Sequence, residues 1–460
     1  MGSLAKKYRR TILFCSKLFL YAVLFGCFCF NWFAFYSQAT FSKNGNYVVI
    51  LSYISIFYLF SSLYGCLKIG ILRLGELIYS YSLSLVISNF LIYLQFCLIA
   101  RTMLSPFGIV IMSLTQFGVC VMGAIFLNDI YFALHPARQV VAVCADFARV
   151  EGLLRKVKSI KEKYNIVMVL NQDLGYQEII DSIGDYTSVL LCDIDSNLKE
   201  QLIKYCYVQN KRIYILPSIA DIALKHSHRT QIFDTPMFLC RNTGLSAEQF
   251  VIKRIFDIVV SLLALIIFSP IMLISAIAIK LYDGGPVFFL QERVTCGGRV
   301  FKVIKFRSMV VDAESKGPLI TVVNDQRVTP IGKIMRKIRI DEFPQLFNVL
   351  AGDMSIVGPR PERIENVEQY SKEIPEFNLR HRVKAGITGY AQIFGRYNTS
   401  PRDKLILDLL YIERFSFLLD IKLMFMTLKI MFISSSTQAF ELNEDVVKRS
   451  KNNNLQGGDR

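Results

Sequence analysis

Four long stretches without a charged residue, 18–36, 47–67, 77–100 and 102–128, fill the N-terminal part of this 460-residue chain. Each reaches the ~18–20 residues that a helix needs to cross hydrocarbon, and a chain carrying four of them folds in a bilayer. Composition agrees: 53% of the residues are hydrophobic and 20% charged, which excludes a disordered chain, a collagen and a disulfide miniprotein. The formal charge of +16 points to an anionic membrane surface or a phosphorylated substrate. With this apolar excess, nucleic acid is not expected as a partner.

The basic run Lys6-Lys7-Tyr8-Arg9-Arg10 precedes the first stretch. It resembles a signal-peptide n-region, but the apolar run is long and no small-residue cleavage site follows, so an uncleaved anchor is expected. The positive-inside rule places the N-terminus in the cytoplasm. Lys68 and Arg73 then also lie inside, and the outer loops carry only Lys43 and Arg101. Residues 1–130 thus read as a four-helix transmembrane bundle that returns the chain to the cytoplasm.

Residues 136–245 change texture. Strand-like runs at 140–144, 165–170, 188–193 and 211–216 alternate with charged helix-forming stretches such as 151–163 and 198–209. That spacing predicts βαβ units and a Rossmann-like module on a parallel sheet. A nucleotide site would need a Gly-rich first turn. The turn here is Ala145-Asp146-Phe147-Ala148-Arg149, without Gly, so a structural or dimer-forming module is expected. The eleven Cys show no CxxC and no zinc spacing and read as reduced core residues. His226 and His228 form a lone HxH, which reads as structural.

A fifth uncharged run, 258–279, has Lys253, Arg254 and Asp257 before it and Lys280 after it. Basic residues on both flanks disfavour a crossing. Ser269-Pro270 sits in its middle, where proline removes a donor and clashes with the preceding turn. The part before the proline would rise only about 18 Å as a helix. A re-entrant helix–break–helix over 255–280 is therefore expected; the alternative is an ordinary span kinked at Pro270.

Between Lys280 and Ile340 lie twelve Lys/Arg and five Asp/Glu, interleaved with apolar residues at strand spacing from Arg299 to Arg307. Such a patch attracts phosphate and anionic lipid headgroups; a solvated face is the plainer alternative. Arg339-Ile340-Asp341-Glu342 follows. A carboxylate among cations is kept ionised and can attack phosphorus to form an acyl phosphate. Its neighbour can bind Mg²⁺, which takes one or two carboxylates plus substrate phosphates. An Asp-Glu dipeptide alone is usually surface charge, so the flanking residues must supply the specificity.

They do. Asp341-Glu342-Phe-Pro-Gln-Leu-Phe-Asn-Val-Leu-Ala-Gly-Asp-Met-Ser-Ile-Val-Gly-Pro-Arg-Pro361, Lys305-Phe-Arg-Ser-Met309, Gly386-Ile-Thr-Gly-Tyr-Ala-Gln392 and Ser269-Pro270, in this order over about 249–433, closely resemble the bacterial sugar transferase family, the monotopic polyprenyl-phosphate phosphoglycosyl transferases. The resemblance implies that Asp341 attacks the β-phosphorus of a UDP-sugar, releases UMP and holds a phosphosugar, with Glu342 as the Mg²⁺-associated carboxylate. It implies that Arg336, Lys305 and Arg307 lie near the phosphates and that Pro359-Arg360-Pro361 lies at the uridine end. The phosphosugar would pass to undecaprenyl phosphate, the first membrane step of exopolysaccharide, capsule or O-antigen synthesis. The implied setting is the bacterial cytoplasmic membrane, with the catalytic part on the cytoplasmic side, anionic lipids around it and a homodimer as the assembly. Two departures stand out: Ala385 where the family pattern has Pro, and Arg339-Ile340 where it has small hydroxyl residues.

The fold class expected is an α/β membrane protein: the transmembrane bundle, the Rossmann-like module, and a small mixed α/β catalytic domain over 250–435. The stretch 405–433, apolar but dotted with charge, is expected as amphipathic helices at the interface, and the tail 443–460 as disordered. Rival functions are a lipid-acceptor glycosyltransferase that releases UDP and an inert membrane scaffold of polysaccharide export.

Overall fold

The four N-terminal apolar runs become helices α1 (Arg9–Asn31, continued by a π-helical turn Trp32–Tyr36), α2 (Gly45–Tyr64), α3 (Leu74–Ala100) and α4 (Phe107–Leu134). The computed structural model describes residues 8–37, 45–158, 160–240, 244–311, 325–395 and 399–431; the tail 443–460 lies outside them. The chain divides into two units, Met1–Ser218 and Ile219–Arg460.

In the first unit α4 packs against α1 and α3, and α3 against α2. The polarity is inside out. Asn89 donates to Gln116 Oε1 (3.0 Å), and Gln116 donates to the Tyr53 hydroxyl (2.7 Å) and the Leu24 carbonyl (3.1 Å). Phe19, Phe30, Leu98 and Met122 are exposed. Apolar side chains outside and hydrogen-bonded amides inside suit lipid as solvent.

The same unit then forms β1 (Arg138–Cys144), α5 (Phe147–Lys158), β2 (Tyr164–Asn171), α6 (Gly175–Ile183), β3 (Ser188–Cys192), α7 (Ser196–Val208) and β4 (Arg212–Ile215). The four strands make a parallel sheet in the order β2-β1-β3-β4. Period-2 alternation splits its side chains. Val141, Val143, Val189 and Leu191 pack with Ile179, Ile183 and Leu202; Ala142, Cys144 and Cys192 pack with Val150 and Leu154. Helices therefore cover both faces.

The second unit contains α8 (Ile219–Lys225), the hairpin β5 (His228–Ile232) and β6 (Thr235–Leu239), α9 (Ala247–Asp283), the hairpin β7 (Phe288–Val294) and β8 (Val300–Phe306), α10 (Pro330–Lys337), α11 (Gln345–Ala351), β9 (Met354–Val357), α12 (Ile364–Glu373), β10 (Ala385–Thr388), α13 (Tyr390–Phe394), α14 (Pro401–Glu413) and α15 (Phe417–Met431). Its core joins Ile222, Phe301, Val303, Val349, Met354, Val357, Phe377, Leu405, Leu409 and Leu423.

Two expectations need correction. The break at Ser269-Pro270 is not an interruption: α9 is one helix of 37 residues with Pro270 inside it. Proline orphans the carbonyl four residues earlier, that of Ile266, and the Ser269 hydroxyl donates to that carbonyl at 2.9 Å. The stretch 405–433 is also less interfacial than expected, because α14 buries Leu405, Leu409 and Ile412. Two of its charges are internal: Asp408 pairs with Arg380 at 2.7 Å and Asp420 with Lys253 at 2.5 Å. Among the cysteines, Cys66, Cys120, Cys144, Cys192 and Cys206 are buried as expected, whereas Cys15, Cys240 and Cys296 are exposed. His226 Nδ1 lies 3.0 Å from the Ile222 carbonyl, a structural contact.

Among the described residues five helices, α1 to α4 and α9, are long and apolar enough to cross a membrane. Leu262, Leu263, Ile266, Ile267, Leu273 and Ile274 of α9 are exposed, an apolar surface larger than a water-soluble face carries.

Candidate active site

Asp341 and Glu342 lie on a 3-10 turn, Ile340–Glu342, entered through Arg339 in the left-handed region (φ 56°). That conformation is uncommon for a bulky residue. It buries Ile340 while the next two side chains turn toward the cations. Strand β8 supplies Lys305, whose Nζ lies 3.5 Å from Glu342 Oε1; Arg360 Nη2 donates to the same oxygen at 2.9 Å.

The cations divide the pair. Burial would raise Glu342, but Arg360, Lys305 and Arg339 outweigh it and hold the carboxyl well below the usual range. Asp341 is pushed up to about 6, first by burial and then by the Glu342 charge, against Lys305, Arg336 and Arg360. The sequence reading had neighbouring bases keep Asp341 ionised. The bases act on both carboxylates: they hold Glu342 ionised and oppose the rise at Asp341, which becomes the more basic of the two and is still anionic at pH 7. Burial pushes the Lys305 ammonium down.

Pro359-Arg360-Pro361 is a rigid frame. Its prolines fix φ and donate nothing, so its carbonyls anchor it. Gly386 N donates to Pro359 O (2.9 Å), Arg380 Nη2 to Arg360 O (3.0 Å), Arg293 Nη1 to Pro361 O (3.1 Å) and Val294 N to Glu362 O (3.1 Å). A Cβ on Gly386 would stand 2.1 Å from Gly358 N, so the close approach of β9 and β10 behind this frame requires glycine.

The other residues singled out from the sequence divide. Arg336 donates to Ser308 Oγ at 2.8 Å and helps hold Asp341 down. Arg307 is buried and pairs with Asp283 at the end of α9. Ser269 and Pro270 sit on α9, where the neighbouring Phe268 ring meets Phe343, the residue after Glu342, at 4.6 Å.

The sequence reading missed a buried network behind the frame. Arg380, 2% exposed, pairs with Asp408 at 2.7 Å and lies 3.7 Å from Glu362, which lies 3.5 Å from Lys404. Burial raises Asp408 to about 6 against Arg380. Glu362 directly follows the Pro-Arg-Pro motif, which was the one available signal. Beside the dyad lies a cavity of about 210 Å³ with Arg339 and Glu342 in an otherwise largely apolar lining.

The bacterial sugar transferase family model matches residues 248–434. The UDP-N-acetylgalactosamine-undecaprenyl-phosphate N-acetylgalactosaminephosphotransferase of Aeromonas hydrophila is 39% identical over 241 residues, covering 50% of this chain and 54% of the relative. The UDP-glucose:undecaprenyl-phosphate glucose-1-phosphate transferase of Klebsiella pneumoniae is 42% identical over 229 residues, 49% of each chain. The chain thus spans about half the length of these two relatives. The uncharacterized sugar transferase EpsL of Bacillus subtilis (strain 168) is 40% identical over 188 residues, 41% of this chain and 91% of its own. A relative covered almost end to end, together with a family model spanning the dyad and its frame, shows that the chain belongs to the bacterial sugar transferase family.

Proposed function

We propose that this protein transfers a sugar 1-phosphate from a UDP-sugar to undecaprenyl phosphate, with Asp341 as the nucleophile. The observation that carries this is the divided carboxylate pair: Glu342 is neutralised by Arg360 and Lys305, and Asp341 is left as the basic anion. A carboxylate oxygen of Asp341 attacks the β-phosphorus, the bond to the bridging oxygen breaks, and UMP leaves. An oxygen of the lipid phosphate then attacks the same phosphorus and releases the carboxylate. In this reading Lys305, Arg336 and Arg360 meet the phosphate charge. The relatives are phosphotransferases, which disfavours transfer of the sugar alone.

Mg²⁺ belongs to this reading. Among the described residues no group of three His, Cys, Asp or Glu could hold an ion, but Mg²⁺ needs only one or two carboxylates when substrate phosphates complete its shell. Glu342, with Asp341 beside it, fits that donor set. The ion would neutralise phosphate charge.

The proposed setting is the inner membrane of a bacterium. The first four helices cross it as a bundle, the Rossmann-like module is structural, and the catalytic part faces the cytoplasm. Support for a re-entrant α9, bent at Pro270 while its helical bonding carries on, comes from its two ends. Lys253 pairs with Asp420 and Asp257 accepts from Ile356 N, while Asp283 pairs with Arg307. All three partners belong to the second unit, and a bilayer of ~30 Å between the helix ends would separate them. Leu418 and Leu428 of α15 are exposed apolar contacts for the interface. Anionic lipids are attracted by the basic surface. A homodimer completes the proposal, supported by exposed Ile232, Phe233 and Phe238 on the β5–β6 hairpin.

The test is incubation of the purified protein with a panel of UDP-sugars, undecaprenyl phosphate and Mg²⁺. UMP release from at least one sugar supports the reading; release of UDP, or of neither, refutes it.

A further inference from the structure

We infer that the cavity beside the dyad seats the phosphate-proximal isoprene units of the polyprenyl phosphate acceptor, with Arg339 at its polar end meeting the acceptor phosphate. This rests on the function proposed above and assigns a place to the second substrate.

The cavity is walled by Ala264 and Phe268 of α9, Phe343, Ile393 of α13, and Met424 and Leu428 of α15, with Arg339 and Glu342 also lining it. Thr388, Gln392 and Thr427 also line it, but the two threonine hydroxyls bond each other at 2.6 Å and Gln392 Nε2 donates to the Ile387 carbonyl at 2.8 Å; the rest of the lining is mostly hydrocarbon, which suits an isoprene chain better than a base and ribose. Charge agrees with a phosphate head. Glu342 already accepts from Arg360 and faces Lys305, so Arg339 adds a net cation where apolar wall meets reactive turn. The left-handed backbone at Arg339 (φ 56°) sets this residue immediately before the turn that carries both carboxylates.

Size selects which part of the lipid enters. At about 210 Å³ the cavity is smaller than the ~300–1,000 Å³ of sites that enclose a drug-sized ligand, so the rest of a long chain must lie elsewhere. Its exit is prepared: α9, which forms one wall, carries exposed Leu263, Ile266 and Ile267. The chain can therefore pass into hydrocarbon without crossing water. With the phosphate at Arg339, an acceptor oxygen attacks the phosphorus held on Asp341, the bond from phosphorus to the carboxylate oxygen breaks, and the carboxylate is regenerated.

The test uses the full-length protein in lipid nanodiscs and the variant Ala264→Phe, which fills the cavity without altering the dyad. Expected are a UMP burst from UDP-sugar within twofold of wild type, an unchanged KM for UDP-sugar, and a KM for undecaprenyl phosphate raised at least tenfold. An intact burst with an unchanged acceptor KM overturns the inference. If the variant fails to fold, the wild type decides, using a polyprenyl phosphate that carries a diazirine in its first isoprene unit. Crosslinks within 260–268 or 424–428 support the site, and crosslinks confined to other segments overturn it. Absence of UMP release by wild type from every UDP-sugar refutes the proposed function instead, and the crosslink position still reads the cavity.

Discussion

Arg360 donates to Glu342 at 2.9 Å, and through that bond the cation fixes the charge beside which Asp341 must titrate. Two adjacent carboxylates in a buried turn would ordinarily share a proton. Here one is held anionic by its partners and the other is lifted to about 6.

The first half-reaction should follow the ionisation of Asp341. Its rate is predicted to fall as pH drops through about 6, because a protonated carboxyl cannot attack phosphorus. Arg360→Gln removes a cation that lowers the Asp341 pKa, so the acid limb should move to higher pH. Glu342→Gln removes a like charge, so the limb should move to lower pH. The UMP burst rate measured against pH reads both signs; shifts in the same direction would contradict this electrostatic account.

Asp341 should also lower the stability of the fold. Its folded pKa lies above the ordinary value of 3.8, so the folded state binds the proton more tightly than the unfolded chain does. Stability is lost as pH rises between these values and stays lost at pH 7. Asp341→Asn is predicted to stabilise the protein at pH 7.5 by up to about 3 kcal/mol, seen as a higher Tm, with the gain shrinking below pH 5.

The Arg380–Asp408 pair, buried to within 2% on both sides, makes a sharper stability prediction. Arg380→Ala leaves a buried carboxylate without its cation and frees the Arg360 carbonyl, a loss of about 3–5 kcal/mol. The double change Arg380→Met, Asp408→Leu should recover a large part of it. Thermal unfolding of the single and double variants measures the difference. Because burial already raises Asp408 to about 6, the single variant should lose less at pH 5 than at pH 8.

Residues that act through local pattern were legible in the sequence; residues that act through distant pairing were not. The strands predicted at 140–144, 165–170, 188–193 and 211–216 agree with β1 to β4 within a few residues, because alternation and turn residues are local. The dyad and its Pro-Arg-Pro frame were legible because they stand in one run. The Arg380–Asp408 pairing was hidden, since nothing near either residue names its partner. The partner of Arg307 was hidden for the same reason: Asp283, with which it pairs, ends α9, far from it in sequence. At Pro270 the lost donor was read correctly, but the neighbouring Ser269 hydroxyl bonds the freed carbonyl and the helix continues.

The topology of α9 is open to chemical labelling. Cysteines placed at the exposed positions Phe250 and Leu281 should both be shielded from an impermeant thiol reagent in intact cells and both be labelled after lysis. Reaction of only one from outside means that the helix crosses. Pro270→Ala restores the missing donor and removes the ring clash; it is predicted to make the two positions differ in part of the population.

The most direct test of the covalent mechanism omits the lipid acceptor. With UDP-sugar and Mg²⁺ alone, the protein should release one equivalent of UMP per active site and retain a phosphosugar on the peptide containing Asp341, both detectable by mass spectrometry. Asp341→Asn should abolish burst and adduct together. An adduct in Asp341→Asn, or UMP release that requires both substrates at once, would contradict the account and leave direct attack by the lipid phosphate as the mechanism.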